Sequence, residues 1–111
     1  MPAYLIADFE VRDHDALSRV RSAIDKLISQ HGGKFISRGS SVTPHLGSRP
    51  EHVSIIEFPS RQAAVDYANS SELEQLMELA NEAAHWRTYI IEGGDRIEGG
   101  DRTSGAGPRG A

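Results

Sequence analysis

From Ala3 to Val11 apolar and polar positions alternate: Ala3, Leu5, Ala7, Phe9 and Val11 fall on one side, Tyr4, Ile6, Asp8 and Glu10 on the other. A period of two is that of a β-strand. Leu17, Val20, Ile24, Leu27, Ile28 and His31 then recur at intervals of three and four, which lays one apolar stripe along a helix. Asp13 stands where it caps the first free N–H groups of that helix, and Gly32 and Gly33 stop it. Lys34 to Arg38 is short and β-prone and predicts a second strand. Gly39 to His52 carries two glycines, two prolines and three serines, the composition of a loop or an irregular hairpin tip. Val53 to Phe58 is a strand in which Val53, Ile55, Ile56 and Phe58 surround one carboxylate, Glu57. Ser60 caps a second helix with Ala63, Ala64, Tyr67 and Ala68. Asn69-Ser70-Ser71 interrupts it, and Ser71 with Glu74 forms a capping box that restarts a helix through Leu73, Leu76, Met77, Ala80, Ala83 and Ala84. Arg87 to Glu92 predicts the last strand.

Strand, helix, strand, strand, helix, strand is two βαβ halves end to end. The fold class this predicts is α+β, a ferredoxin-like βαββαβ with a four-stranded antiparallel sheet and both helices on one face. Aligning the halves by their caps, Asp13 and Ser60, sets the first and third strands side by side at the centre and parallel. Val11 then lies opposite Phe58, Phe9 opposite Ile56, and Glu10 opposite Glu57. If Phe9, Val11, Ile56 and Phe58 face the helices, the other face of the sheet shows Tyr4, Ile6, Val53 and Ile55, with Tyr89 or Ile90. Burying such side chains is worth on the order of 1.5–3 kcal/mol each, so the expected partner is a second copy, in a homodimer paired through that sheet face.

Size and charge narrow the function classes. With 111 residues, of which roughly 1–92 carry a folding pattern and 93–111 form a glycine-rich flexible tail, one small domain is expected. The tail repeats GGDR at Gly93 to Arg96 and Gly99 to Arg102, and seven of its nineteen residues are glycine, too few apolar groups to offset ordering entropy. Net charge is −4 and the basic residues are scattered, which excludes the footprint of a nucleic-acid partner. No apolar run approaches the ~20 residues of a membrane span. The first residues run straight into a strand, so a cytoplasmic protein is expected. Cysteine is absent, removing disulfides, thiolate metal ligands and a cysteine nucleophile. The histidines, His14, His31, His45, His52 and His85, show no metal-binding spacing, and no glycine loop opens a helix to cradle phosphate. Neither a metal nor a tightly bound cofactor is expected.

YLIADFEVRD, HGGKFISRGS, VSIIEFPS, SSELEQL and the closing YIIEG together resemble, in order and spacing, the domain-of-unknown-function family number 1330, over Tyr4 to Gly93. That resemblance implies the dimeric α+β barrel, in a superfamily that includes cofactor-independent monooxygenases, lactone isomerases and haem-degrading enzymes. It implies no particular activity, since sites differ from one barrel to the next. Two polar positions expected from the resemblance, a tyrosine and an arginine on the last helix, are Leu73 and Ala80 here, so their roles do not carry over.

Arg38 matches the RG position of that resemblance. Its guanidinium suits a carboxylate or enolate oxygen, and the structural alternative is an ion pair with Glu57 or Glu10. Glu57, among apolar neighbours, has the surroundings that raise a carboxyl pKa and make a general acid or base; the alternative is a buried ion pair fixing register or dimer. His45, in the long loop, is placed to close over a pocket as acid or base, or simply to lie on the surface. Tyr67 and Trp86 are candidates for an aromatic, substrate-binding wall, with core packing as the alternative. These residues frame two readings. One is a small-molecule enzyme performing monooxygenation, isomerisation or cyclisation on an enolisable, polyketide-like substrate, with Glu57 or His45 abstracting a proton and Arg38 stabilising the anion. The other is a non-catalytic metabolite-binding or accessory dimerisation protein.

Overall fold

Residues 1–93 are described by the computed structural model; the segment assigned above to a flexible tail lies, from residue 94 onward, outside the described residues. Seven elements follow in order: β1 (Ala3–Val11), α1 (His14–Gln30), β2 (Lys34–Gly39), β3 (His52–Phe58), α2 (Arg61–Ala68), α3 (Ser71–Ala83) and β4 (Ala84–Glu92). The sheet order is β2-β3-β1-β4, with every neighbouring pair antiparallel. This is the ferredoxin-like βαββαβ arrangement, with its second helix divided in two.

The caps show why these helices start where they do. Asp13 accepts from the backbone N–H groups of Asp15 and Ala16 at 3.0 and 3.1 Å, and Ser60 from that of Ala63 at 3.1 Å, bonds worth about 1 kcal/mol each. The cap of α3 is Ser70, which accepts from Leu73 N–H at 3.2 Å. Ser71, expected to be the cap, is instead the first helical residue. At the end of α1, Gly32 takes φ +82°, and Gly33 N–H donates to Ile28 O. A Cβ on Gly33 would stand 2.7 Å from Ile28 Cγ2 and 2.8 Å from Phe58 Cε1, so only glycine lets β2 begin this close to the core.

Two expectations about the sheet are corrected. The central pair, β1 and β3, runs antiparallel: Ala3 faces Phe58, Tyr4 faces Glu57, Leu5 faces Ile56 and Phe9 faces His52. A crossover through α1 makes β1 and β2 run the same way with a gap between them. β3 fills that gap after reversing direction from β2, so it must also oppose β1. The halves are thus related by rotation rather than by sliding one cap onto the other, and Glu10 faces His85 of β4 instead of Glu57. The last strand also begins three residues earlier than expected, at Ala84, which moves His85 and Trp86 from a helix end onto the sheet.

The core lies between helices and sheet in two adjoining clusters. Leu5, Ile56 and Phe58 meet Leu27, Ile28 and Tyr67 at one end; Leu17 and Val20 meet Ala80 and Ala83 at the other. No helix among the described residues is long and apolar enough to cross a membrane.

Candidate functional site

Three rows of side chains cross the helix-facing side of the sheet. In the first, Phe35, Ile56, Leu5 and Ile90 stand side by side, all apolar. In the third, His52, Phe9 and Trp86 form an aromatic row. Phe9 stacks on His52 with centroids 5.0 Å apart and lies 4.5 Å from Trp86, whose indole N–H donates to Ala80 O at 2.8 Å. Between them runs a row of short side chains, Ser54, Ala7 and Thr88, closed at the β2 edge by Arg38. Serine, alanine and threonine do not reach the helices, so a cavity of about 390 Å³ remains over that row. Its walls include Ile24, Asp25 and Arg21 of α1, Tyr67 of α2 and Met77 of α3. That is within the usual size range of small-molecule pockets.

Arg38 reaches this cleft because of a bulge. Phe35 pairs with Ile56 and Ser37 with Ile55, so the register of β2 shifts by one residue around Ile36. Without it, Phe35 and Arg38, three positions apart, would point to opposite faces. With the bulge both face the helices, and the guanidinium lies 3.7 Å from the Phe35 ring centroid, a cation–π contact. One of its nitrogens, Nη2, donates to Asp25 Oδ1 at 3.0 Å, and the two side chains are 36 % and 37 % exposed. The ion pair sequence reasoning offered Arg38, with Glu57 or Glu10, is therefore replaced by one with Asp25.

Two hydroxyl-bearing residues of the lining, Ser54 and Tyr67, are buried. Ser54 and Tyr67 are each only 6 % exposed, and among the described residues neither Ser54 Oγ nor Tyr67 Oη has a protein hydrogen-bond partner. Burial, and then the Asp25 carboxylate, push the Tyr67 phenol up to about 12, so it keeps its proton and can donate at neutral pH.

Of the five residues singled out from sequence, Arg38, Tyr67 and Trp86 meet at the cleft. Glu57 does not: it lies on the opposite face of the sheet, facing Tyr4 and 3.9 Å from Lys34 Nζ. His45 is exposed in the loop between β2 and β3 and lines no wall. Asp25 and Ser54 were missed, although Ser54 carried a signal. It shares the parity of Ile56 and Phe58, which makes it a polar residue on the apolar side of its strand. Asp25 carried less, since a carboxylate beside Ile24 on a helix reads as a solvated position.

Comparison with known proteins points to the fold more than to a reaction. The family described as "Domain of unknown function (DUF1330)" matches residues 2–94. No curated protein matches the chain. Among solved structures, the RPA0582 protein of unknown function from Rhodopseudomonas palustris is 17% identical, with 86% of this chain and 84% of that one covered and a TM-score of 0.68. SnoaB, a cofactor-independent oxygenase from Streptomyces nogalater, is 8% identical, with 86% and 96% covered and a TM-score of 0.61. A dimeric protein of unknown function and ferredoxin-like fold from Bacteroides fragilis is 18% identical, with 82% and 95% covered and a TM-score of 0.58. At these identities the likeness is one of fold.

Proposed function

The chain belongs to the DUF1330 family, and from that premise we propose that it is a small-molecule enzyme, working as a homodimer and without a bound cofactor on an enolisable substrate held in the cleft. One observation carries the reading: a cavity of about 390 Å³ with an arginine at its wall and two buried hydroxyls that have no protein partner among the described residues. A folded chain gains nothing from an unpaired buried hydroxyl, which costs about 1–3 kcal/mol, unless something else supplies the partner. In this reading an enolate oxygen is that partner, accepting from Tyr67 and Ser54, while the Arg38 guanidinium balances negative charge. The proton taken from substrate carbon goes to Asp25, the carboxylate that lines the cleft; Glu57 and His45 stand too far from it for that step in one protomer. A fold shared with a cofactor-independent oxygenase is compatible with such chemistry.

The homodimer rests on the uncovered face of the sheet. Tyr4, Ile6, Val53 and Ile55 share it with Tyr89 and Ile91, which are 53 % and 51 % exposed. Two structural neighbours of the same fold, 18% and 13% identical, are dimeric proteins of unknown function.

The non-catalytic reading, a metabolite-binding or accessory dimer, draws support from the pairing of Asp25 with Arg38, which leaves the cleft without an uncommitted base. Mass spectrometry of small molecules that co-purify, followed by assay of native protein and Asp25→Asn, separates the two. Turnover by native protein that Asp25→Asn loses while still binding supports the enzyme. Binding without turnover in either supports the accessory role.

A further inference from the structure

We propose that the cleft is built for an apolar carboxylic acid, whose carboxylate displaces Asp25 from Arg38 while a second oxygen of the same molecule bonds Tyr67 and Ser54. This rests on the small-molecule reading above and adds the class of ligand: besides the charge that develops on an enolate, Arg38 meets a negative charge that the ligand itself brings.

Four features point this way. The first is the arginine itself, which spends one nitrogen on Asp25 and keeps its remaining donors, in a fork that matches a carboxylate, free of other protein contacts among the described residues. Its face is already held by Phe35, so little side-chain freedom is lost when a ligand arrives. The second is charge. Arg21 and Arg38 against Asp25 leave the cleft walls with one positive charge in excess, in a protein whose net charge is −4. That local reversal favours an anion over a cation or a zwitterion. The third is the rest of the lining, which is mostly apolar: Leu5, Ala7, Ile24, Ile56 and Met77 carry no hydrogen-bonding group, the Trp86 indole N–H is already spent on Ala80, and only Asn81 and Thr88 add polar side chains. The ligand's body is therefore apolar. The fourth is size, since 390 Å³ takes about a dozen water-sized groups, which is the bulk of a two-ring aromatic acid.

Exchange at Arg38 follows from exposure. Asp25 and Arg38 are each more than a third exposed, so their pair is worth little in water. A ligand carboxylate that reaches the same guanidinium with its body in the cleft is shielded from solvent on one side and competes well. Asp25, released, is then the free carboxylate that the enzymatic reading needs.

The test is isothermal titration of the full chain with 4-hydroxy-1-naphthoate, which carries both oxygens, and with 1-naphthol, which lacks the carboxylate. The acid is expected to bind about ten- to hundredfold tighter than the naphthol, the span of one charge-assisted contact. Arg38→Gln, an exposed position whose change leaves the core intact, is expected to erase that difference. Asp25→Asn is expected to tighten the acid severalfold and leave the naphthol unchanged. Tyr67→Phe and Ser54→Ala are expected to weaken both compounds, without lowering thermal stability, because neither hydroxyl has a protein partner to lose. Equal binding of acid and naphthol to the native chain overturns the acid and leaves the small-molecule cleft standing. Binding of neither overturns the acid and counts against the cleft as well, and an acid preference that survives Arg38→Gln overturns the assignment to Arg38.

Discussion

On the helix-facing side of the sheet Leu5, Ile56 and Phe58 are at most 6 % exposed, whereas on the other side Tyr89 and Ile91 are 53 % and 51 % exposed, though all belong to adjoining strands of one sheet. Alternation put apolar side chains on both faces; only one has helices of its own to cover it. Polar groups differ in the same sense. Inside, the Ser54 and Tyr67 hydroxyls are buried without a protein partner among the described residues, an arrangement suited to receiving a ligand. Outside, polar residues are paired across strands, Asp8 with Arg87 at 3.3 Å and Glu57 with Lys34 at 3.9 Å, which steadies register where water competes. A cavity and the proposed dimer face thus lie on opposite sides of the same strands.

The sharpest way to break that contrast is Ile55→Asp, which places a carboxylate in the centre of the uncovered face. Two-fold symmetry counts the change twice, so dimer affinity should fall by roughly two to four orders of magnitude, from the ~1.5–3 kcal/mol of each buried isoleucine. Sedimentation velocity at micromolar concentration should show native dimer and mutant monomer, with unchanged far-ultraviolet circular dichroism; native protein sedimenting as a monomer would remove the interface altogether. Next in size is Phe58→Ala on the covered face. It should cost about 3–5 kcal/mol in urea unfolding, since Phe58 is wholly buried, and should do so without a direct effect on the sheet-to-sheet contact.

A third effect is alkaline and belongs to the cleft. The Tyr67 phenol has its ordinary value near 10 in the unfolded chain and about 12 in the folded one. Above pH 10 the unfolded chain therefore releases this proton first. The contribution to stability is fully present below pH 10 and is lost as pH rises through 12, by roughly 3 kcal/mol over two pH units. Urea midpoints between pH 9 and 12 should fall more steeply for native protein than for Tyr67→Phe, and identical slopes would show that Tyr67 is not held protonated by its surroundings. Smallest is Arg87→Ala, which breaks the pair with Asp8. With Arg87 72 % exposed, a loss below about 1 kcal/mol is expected; a markedly larger, concentration-dependent loss would place that pair inside the dimer contact.

Much of the fold was legible because it follows from local chemistry. Asp13, Ser60 and the two glycines marked helix ends through groups that bond or turn within a few residues, and the period of β1 showed both its faces. Direction of pairing was not, because it depends on how two halves 50 residues apart are rotated together. The capping residue of α3 moved by one, from Ser71 to Ser70, because adjacent serines are chemically alike and the chain's entry angle chooses between them. Among the residues that line the cleft, Arg38, Tyr67 and Trp86 had been singled out by residue type and position. Glu57 misled, because a carboxylate within an apolar strand looks buried until the pleat sends it to the other face, where Lys34 meets it.

From sequence alone came the element order, the ferredoxin-like class, the two apolar faces and the arginine. Tertiary structure decided the rest: that the central strands oppose one another, that a one-residue bulge turns Arg38 inward beside Phe35, and that Ser54, Ala7 and Thr88 fall in one row. The physical reason is range. Periodicity and capping are set by neighbours along the chain, whereas a cavity is set by which short side chains pairing brings abreast, on strands distant in sequence.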